Sequence, residues 1–285
     1  MREFAHRPAD TTESVPGRPF GDFVELAGQA RRTDQVLPER AKTLSAVPLD
    51  AAYGLQGALG AWFERHGHGP RVGYKIGATA SAMQRYLGVE HPVYGRVHEA
   101  DVHDSGALLP RSSGAPVAVE CELAVRLASD LPARDAPWRR DELNDYVGAI
   151  APAIEIVENR YGDFESTALG TLIADDMFHK CAVVGAWQAY DHALDLAGMR
   201  ARLSLNDEHA ESGTGAEILG HPLEAVAWLA TALGPQGEGL RAGDVVLTGS
   251  MTAPVWLEAL PARIATDLSG VGRCECTLID RERRS

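Results

Sequence analysis

Apolar residues in the N-terminal part of the chain recur at the spacing of a helix. Leu49, Tyr53, Leu59 and Phe63, with the polar Gln56 among them, follow one another at intervals of three and four residues, which places them on one helical face. A proline directly precedes this run, as is typical of a helix start. The pattern predicts a helical segment that packs on the main body, and we assign no chemistry to it.

After Gly69 and Pro70 the pattern changes to short apolar runs separated by glycine, proline and aspartate, which is typical of β-strands. These runs are 72–76, 117–127, 151–157, 182–184, 203–205, 244–247, 262–267 and 274–279. Two helices are predicted among them, over 139–148 and 222–233, the second with a proline in its first turn. Strands interrupted by single helices predict an α+β body rather than a doubly wound sheet.

The same patterns divide the chain into three segments. Residues 1–17 are polar and lack periodic apolar content, which predicts a mobile arm. Residues 18–70 are predicted as a helical N-terminal segment, and residues 71–285 as a β-rich domain that carries the candidate catalytic residues.

Two carboxylates lie on one face of the predicted strand 117–127. Because successive side chains in a strand alternate between faces, Glu120 and Glu122 point the same way, together with Ala118 and Ala124. A rise of about 3.3 Å per residue places the two glutamates about 6.6 Å apart. Their charges would repel by about 2.5 kcal/mol at an effective dielectric of about 20, so solvent, a cationic side chain or a metal ion must offset them. A solvated strand face is the alternative, although such a face normally mixes other polar residues with glutamate.

A third acid stands at the centre of another apolar run. Glu155 lies within 151–157, where an unpaired carboxylate is costly. If it converges on Glu120 and Glu122, the three carboxylates form an oxygen site suited to Mg²⁺ or Mn²⁺. Glu158 is the nearby competitor, but by alternation it faces the other side, and we predict a surface position or local pairing for it.

A lysine, an aspartate and two hydroxyl residues are further candidates for catalysis or substrate binding. Lys75 stands among apolar and glycine residues, where a desolvated amine near a metal ion can move protons; the alternative is a strand lysine whose Nζ reaches solvent. Asp175 follows a short apolar run, for which a plain turn is the competing interpretation. Thr248 and Ser250 flank a glycine at a strand end, where hydroxyl and N–H groups can receive a carboxylate.

Nine short segments, taken in chain order, form a specific set although none is decisive alone. They are Asp50–Gln56, Tyr74–Thr79, Pro92–Gly95, Glu120–Glu122, Pro152–Val157, Ile173–Asp175, Gly220–Pro222, Trp228–Ala230 and Gly243–Ser250. In this order, between about residues 49 and 279, they resemble the 2-keto-4-pentenoate hydratase / 4-oxalocrotonate decarboxylase family, within the fumarylacetoacetate hydrolase superfamily. The resemblance implies an α+β fold: the mixed β-sandwich roll of the superfamily's C-terminal domain with a helical N-terminal segment, usually in oligomers.

The resemblance also implies a site and an activity. It implies a divalent ion, Mg²⁺ or Mn²⁺, held by Glu120, Glu122 and Glu155. It implies catalytic roles for Lys75, as an acid and base, and for Asp175. The implied substrate-binding residues are Thr79, Tyr94, Thr248 and Ser250. The implied reaction is that of a lyase on a 2-oxo-enoate or 2-hydroxy-dienoate acid, through a metal-stabilised dienolate.

Two positions depart from the family's pattern. Hydratases of the family commonly carry aspartate where this chain has Val93, and an apolar residue there resembles the decarboxylases. The usual Ala-Asp-Asn reads Ala174-Asp175-Asp176 and continues into Met177–Lys180, which bears on the identity of the substrate. Decarboxylation and hydration are therefore close alternatives, with a slight preference for decarboxylation.

The sequence is also compatible with two other functions. One is hydrolysis of a C–C bond in an acylpyruvate. The other is a non-catalytic partner subunit of a hydratase and decarboxylase complex, although a scaffold needs neither the three glutamates nor Lys75.

Composition and charge limit the classes of binding partner that the protein can have. The formal net charge of −13 disfavours nucleic acid and anionic membrane surfaces, and no apolar run approaches the roughly 18 residues of a membrane span. The first 17 residues lack the apolar core of a secretory signal, and the four cysteines match no zinc spacing and are predicted as buried apolar side chains. We expect a cytoplasmic protein with a small-molecule 2-oxo acid substrate, in a homo-oligomer or together with a related sister enzyme.

Overall fold

The computed structural model describes residues 19–33, 35–41, 47–111, 115–162 and 167–280. The arm predicted over residues 1–17 lies outside the described residues. Two helices lie within the segment predicted as helical, while the division of the chain into three segments stays a prediction.

The described residues form five helices and fourteen strands. The helices are α1 (Pro19–Arg32), α2 (Leu49–Arg65), α3 (Ser81–Leu87), α4 (Leu169–Ala174) and α5 (Pro222–Leu233). The first seven strands are β1 (Arg71–Gly77), β2 (Val93–His98), β3 (Val102–Asp104), β4 (Ala107–Arg111), β5 (Val117–Leu127), β6 (Val147–Glu158) and β7 (His179–Val184). The others are β8 (Gln188–Ala189), β9 (Arg200–Leu205), β10 (Glu208–Thr214), β11 (Val245–Ser250), β12 (Val255–Trp256), β13 (Ala262–Leu268) and β14 (Gly272–Asp280).

The strands form two mixed sheets. The first has nine strands in the order β2-β1-β11-β5-β6-β7-β3, with β12 paired to β5 and β8 paired to β6. The second has five strands in the order β10-β9-β13-β14-β4. Parallel pairs join β1 to β11, β3 to β7 and β14 to β4, while the other pairs are antiparallel. Strands of both directions with single helices between them confirm the predicted α+β class.

Helix α2 fastens the N-terminal helices to the sheet. Tyr53, Gln56, Leu59 and Phe63 are buried, which confirms that this helical face packs on the main body, whereas Leu49 is partly exposed. The side-chain amide of Gln56 donates to one carbonyl in β2 and one in α4, at 2.9 and 2.8 Å. Within the described part of the chain, no helix is both long enough and apolar enough to cross a membrane.

The prediction of a helix over 139–148 is wrong. The chain forms only a 3₁₀ turn over Arg140–Glu142, and β6 already begins at Val147. The pairing of Val147 with Leu127 of β5 draws the end of this stretch into the sheet. Long-range strand pairing therefore overrides a weak local helical pattern.

Two minor predictions also have outcomes. Glu158 is buried and its Oε2 lies 3.7 Å from Arg160 Nη1, so local pairing rather than a surface position is observed. All four cysteines are buried and free, as predicted.

Candidate active site

One face of the nine-stranded sheet carries small residues around a few long polar ones, and we call it the site face. Residues that pair directly across neighbouring strands point to the same side of a sheet. The polar residues that this pairing places on the site face are Lys75, Glu120, Glu122 and Glu155. The small residues of the same face are Gly77, Gly95, Ala124, Ala153 and Ala182. Small side chains leave room around the lysine and the glutamates.

The structure brings together the three glutamates that the sequence singles out. Glu120, Glu122 and Glu155 each offer a carboxylate oxygen, and these oxygens lie within 4.8 Å of one another. Glu120 and Glu155 are direct cross-strand partners in β5 and β6. Glu122 and Glu155 are fully buried, whereas Glu120 is partly exposed and marks the open side of the cluster.

The two buried glutamates each have one oxygen fixed and one oxygen available. Glu122 Oε2 accepts a hydrogen bond from the Gly249 N–H at 2.9 Å, and Glu155 Oε1 accepts one from His179 Nδ1 at 2.7 Å. Glu122 Oε1 and Glu155 Oε2 are buried without a hydrogen-bond partner among the described residues. Buried carboxylate oxygens without a donor are unfavourable alone and suit a hard divalent cation. The residues therefore fit Mg²⁺ or Mn²⁺.

Electrostatics in the cluster also favour a cation. Burial raises the pKa of Glu120 to about 7, with repulsion from Glu155 adding to the effect. Burial together with its neighbouring glutamates raises the pKa of Glu122 well above its usual value. Burial acts in the same direction on Glu155, but Lys75 and His179 outweigh it and lower the pKa of Glu155 to about 2. A divalent ion would offset the repulsion that raises the first two pKa values.

Lys75 lies inside the protein beside this cluster. Its side chain is 5% exposed, so the alternative of an Nζ that reaches solvent does not hold. Lys75 Nζ lies 3.4 Å from Glu155 Oε1 and donates a hydrogen bond to the Met177 carbonyl at 2.6 Å. The amine is thus held at a fixed position at the edge of the carboxylate cluster.

The Met177 carbonyl belongs to a strained segment between α4 and β7. Asp176, Met177 and Phe178 have φ angles of 56°, 49° and 67°, in the left-handed region that non-glycine residues rarely adopt. Gly95 pairs with Lys75, and a Cβ on Gly95 would lie 2.8 Å from the Asp176 carbonyl oxygen. The absence of a side chain at Gly95 therefore lets the segment approach the sheet beside Lys75.

Asp175 caps the C-terminal end of helix α4, which contains the apolar run before it. Its Oδ2 accepts hydrogen bonds from Arg160 Nε at 3.1 Å and from the Tyr161 hydroxyl at 2.9 Å. Arg160 in turn donates to the His179 carbonyl at 3.0 Å. These buried contacts favour a positioning role for Asp175, and its predicted catalytic role stays a prediction.

We expect replacement of Arg160 by methionine to destabilise the fold strongly. The arginine is 1% exposed, and the variant removes the cation that hydrogen-bonds the buried Asp175 and leaves only the more distant Arg31 near that carboxylate. The free energy of unfolding should fall by about 3–5 kcal/mol, measured by urea denaturation. Arg140→Met is the control, since Arg140 is 48% exposed in its ion pair with Glu224 and should cost less than about 1 kcal/mol. Equal stability of the two variants would contradict this assignment.

Three predicted substrate-binding residues lie at or against the C-terminal end of β11. A Cβ on Gly249 would lie 2.6 Å from Thr79 Cγ2, so Thr79 packs directly on the residue whose N–H holds Glu122. The Thr248 hydroxyl donates to the carbonyl of Leu123 at 2.9 Å. The Ser250 hydroxyl donates to a carbonyl two residues later at 2.8 Å. The Thr248 hydroxyl therefore fixes β11 on β5, and the Ser250 hydroxyl fixes the bend after β11, on either side of the Gly249 N–H.

Tyr94 is not brought to the carboxylate cluster. It alternates with Val93 and Gly95 along β2, so its side chain lies on the opposite face of the sheet from Lys75. Its ring stacks on Tyr53 with centroids 4.2 Å apart, and its hydroxyl accepts a hydrogen bond from a glutamine side chain at 2.8 Å. A substrate-binding role for Tyr94 stays a prediction.

Sequence reasoning missed His179, Arg160 and the Met177 carbonyl. None of them belongs to a motif of recognised spacing, and each acts through a contact that only the strand order creates. One indication of this region's importance was present in the sequence, since the stretch after Asp175 departs from the pattern of the resembled family.

Comparison with known proteins agrees with this geometry. Residues 80–279 match the model of the family described as fumarylacetoacetate (FAA) hydrolase C-terminal. The chain belongs to the fumarylacetoacetate hydrolase family. This match spans most of the chain and confirms the superfamily that the nine segments resemble.

Relatives within the fumarylacetoacetate hydrolase family carry the names of the resembled group. The chain is 31% identical over 259 residues to a 2-hydroxyhexa-2,4-dienoate hydratase of Comamonas testosteroni, covering 88% of this chain and 96% of that protein. It is 34% identical over 209 residues to a 2-keto-4-pentenoate hydratase of Burkholderia vietnamiensis, covering 73% and 78%. The structure of 4-oxalocrotonate decarboxylase from Pseudomonas putida G7, complexed with magnesium and adipate, superimposes with a TM-score of 0.84 at 25% identity, covering 91% and 97%. The predicted family and fold are confirmed.

Proposed function

We propose that this protein is a divalent-metal-dependent lyase that acts on a 2-oxo-enoate or 2-hydroxy-dienoate acid. The observation that carries the proposal is the convergence of Glu120, Glu122 and Glu155, with two buried oxygens available, beside the buried Lys75. The names of the relatives, hydratases and decarboxylases of such acids, support it. The test is turnover of these acids by purified protein with added Mg²⁺ and in excess chelator.

The three glutamates would hold Mg²⁺ or Mn²⁺. When bound, such an ion supplies positive charge that stabilises negative charge developing on the oxygens of a chelating 2-oxo acid. The Gly249 N–H and His179 each hold one oxygen of a ligand carboxylate, which fixes the orientation of the remaining oxygen. The decarboxylase of similar structure was crystallised with magnesium and also with calcium, which supports a divalent ion here.

Lys75 is the proposed proton carrier. In decarboxylation the C–C bond to the distal carboxylate breaks, CO₂ leaves, and the electron pair moves through the conjugated carbons to the 2-oxo oxygen. Lys75 Nζ then delivers a proton to that oxygen, which gives the dienol. In the hydration branch Lys75 moves the proton of the 2-hydroxyl group to the terminal carbon of the diene, and water then adds its hydroxyl group and its proton across the remaining double bond. The Met177 carbonyl holds Nζ in place for either direction.

Substrate binding is proposed at the same edge of the site face. Thr79 packs against Gly249, whose N–H donates to Glu122, and the Thr79 hydroxyl can donate a hydrogen bond to a substrate carboxylate there. Thr248 and Ser250 serve this binding by fixing the end of β11 on either side of Gly249. Tyr94 supports the pocket from behind the sheet.

Val93 is expected to select decarboxylation over hydration. Its Cγ2 and Lys75 Nζ lie 3.7 and 3.9 Å from the point where a Cβ on Gly77 would be, so the apolar side chain lies close to the proposed proton carrier. Val93 is fully buried and cannot orient or deprotonate water. Loss of CO₂ requires no water, and a dry pocket favours it.

The measurement supplies the enzyme and Mg²⁺ with 4-oxalocrotonate and with 2-hydroxypenta-2,4-dienoate in separate reactions. Wild-type protein should release CO₂ faster than it forms the hydration product. Val93→Asp should raise the ratio of hydration to decarboxylation about tenfold or more, whereas the apolar control Val93→Leu should not raise it. Efficient hydration without CO₂ release by wild-type protein would contradict the preference.

We also propose a cytoplasmic homo-oligomer. Four free buried cysteines are compatible with a reducing compartment. Leu108 and Trp256 are 68% and 44% exposed and offer apolar area that a second copy can cover. Light scattering on purified protein, alone and after mixing with a related hydratase or decarboxylase, measures the assembly.

A further inference from the structure

Arg31, near the end of α1, reaches three aspartates beside the strained segment. Its side chain is 6% exposed, and its Nη1 lies 2.6 Å from Asp176 Oδ2 and 3.8 Å from Asp175 Oδ1. Its Nη2 lies 3.7 Å from Asp101 Oδ2, and its guanidinium lies 4.5 Å from the centroid of the Phe63 ring. A buried cation among three acids marks a specific contact between α1 and the segment that follows α4.

The position of α1 is set by its packing on α2. A Cβ on Gly28 would collide with the ring of Trp62, so glycine is needed for this close approach. The Trp62 indole N–H donates to Glu25 Oε2 at 2.8 Å across the same contact. The helix that carries Arg31 therefore has a defined register on the body of the protein.

The three aspartates differ in how they depend on Arg31. Asp175 is also held by Arg160 and Tyr161, and Asp101 is also held by His68. Asp176 Oδ1 accepts a hydrogen bond from the backbone N–H of residue 96 at 2.8 Å. Among the described residues, Arg31 is the cation that lies within ion-pair distance of the other carboxylate oxygen of Asp176, Oδ2. Loss of Arg31 would therefore leave Asp176 as the buried carboxylate without a cation.

Asp176 connects this ion pair to the proposed active site. It begins the left-handed stretch whose next residue, Met177, accepts the hydrogen bond from Lys75 Nζ. Residues held in a sparsely populated conformation persist only when surrounding contacts enforce it. The contacts of Asp176 with Arg31 and with β2 are among those that enforce this one.

We propose that Arg31 is a positioning residue for the reaction: through Asp176 it holds the segment 176–178 so that the Met177 carbonyl fixes Lys75 Nζ. Helix α1 is thereby part of the catalytic apparatus, although its arginine touches neither the substrate nor the carboxylate cluster. This inference rests on the proposed role of Lys75 as the proton carrier.

The test compares three variants of the full-length protein with Mg²⁺ present. Arg31→Met should lower kcat about tenfold or more with little change in KM or in the Mg²⁺ dissociation constant, because Lys75 is misplaced while the glutamates are not. Hydrogen exchange of peptides covering 169–184 should accelerate in the same variant. Arg32→Met, which removes an exposed arginine from the same helix, should change neither kcat nor the hydrogen exchange of these peptides.

The double variant R31M/D176N separates positioning from general destabilisation. Asparagine can still accept the hydrogen bond from β2 but carries no charge at position 176, so kcat should return to within about threefold of wild type and exchange should slow again. If R31M cannot be purified, D176A should lose more kcat than D176N, since alanine loses the acceptor as well.

Two results would overturn the inference: wild-type kcat and exchange in R31M, or a double variant no more active than R31M. Failure of the proposed function gives a different pattern. Wild-type protein would then turn over none of the acids, while the exchange of 169–184 would still report whether Arg31 and Asp176 hold the segment.

Discussion

Glu120→Gln is expected to remove most of the affinity for Mg²⁺ or Mn²⁺ and, with it, the activity. Glutamine keeps the shape of the side chain and removes one charge from a cluster whose ligand oxygens lie within 4.8 Å of one another. Glu120 is the partly exposed member, so the substitution leaves the buried contacts of Glu122 and Glu155 intact. The dissociation constant of the metal should rise by at least about 100-fold, since even groups that only orient metal ligands are worth about 10–100-fold.

Isothermal titration of metal-free protein measures this constant, and turnover at saturating substrate measures the consequence. Glu208→Gln, an exposed glutamate on β10, is the charge-matched control and should behave as wild type. Full activity of wild-type protein in excess chelator would contradict metal dependence. Unchanged metal affinity in Glu120→Gln would contradict the ligand assignment alone.

Lys75→Met is expected to fold, to bind the metal ion and to lose about 100-fold or more in kcat, the range typical of a general acid or base. Methionine retains an apolar stem of similar length and removes the Nζ that lies between the Met177 carbonyl and Glu155. Circular dichroism and metal titration of the same preparation separate a lost proton carrier from a lost fold. If folded, metal-bound Lys75→Met turned over substrate at the wild-type rate, Lys75 would have a structural role and no role in proton transfer.

The carboxylate cluster could be predicted because its geometry is largely local. Alternation along one strand places Glu120 and Glu122 on the same side whatever the rest of the fold does, and β5 retains that alternation through both residues. The meeting with Glu155 depends on β5 and β6 being neighbours, which the sequence only suggested. The resemblance to a family supplied that missing step, and the structure brings the three together.

The contacts of Lys75 could not be predicted, since they depend on strand order. β1 lies next to β11, which comes far later in the chain, and only through β11 does it reach β5 and β6. The Met177 carbonyl reaches Lys75 because Gly95 lacks a side chain and because three residues adopt left-handed conformations. The helix predicted over 139–148 failed for a related reason, since pairing with β5 extends β6 back to Val147.

A crystal structure of the protein with Mg²⁺ and oxalate, which resembles the enolate of a 2-oxo acid, is the decisive test of the proposed site. We expect the metal ion among Glu120, Glu122 and Glu155, with oxalate chelating it and one oxalate oxygen within hydrogen-bond distance of Lys75 Nζ. A metal ion bound elsewhere, or oxalate bound away from Lys75, would contradict this proposal.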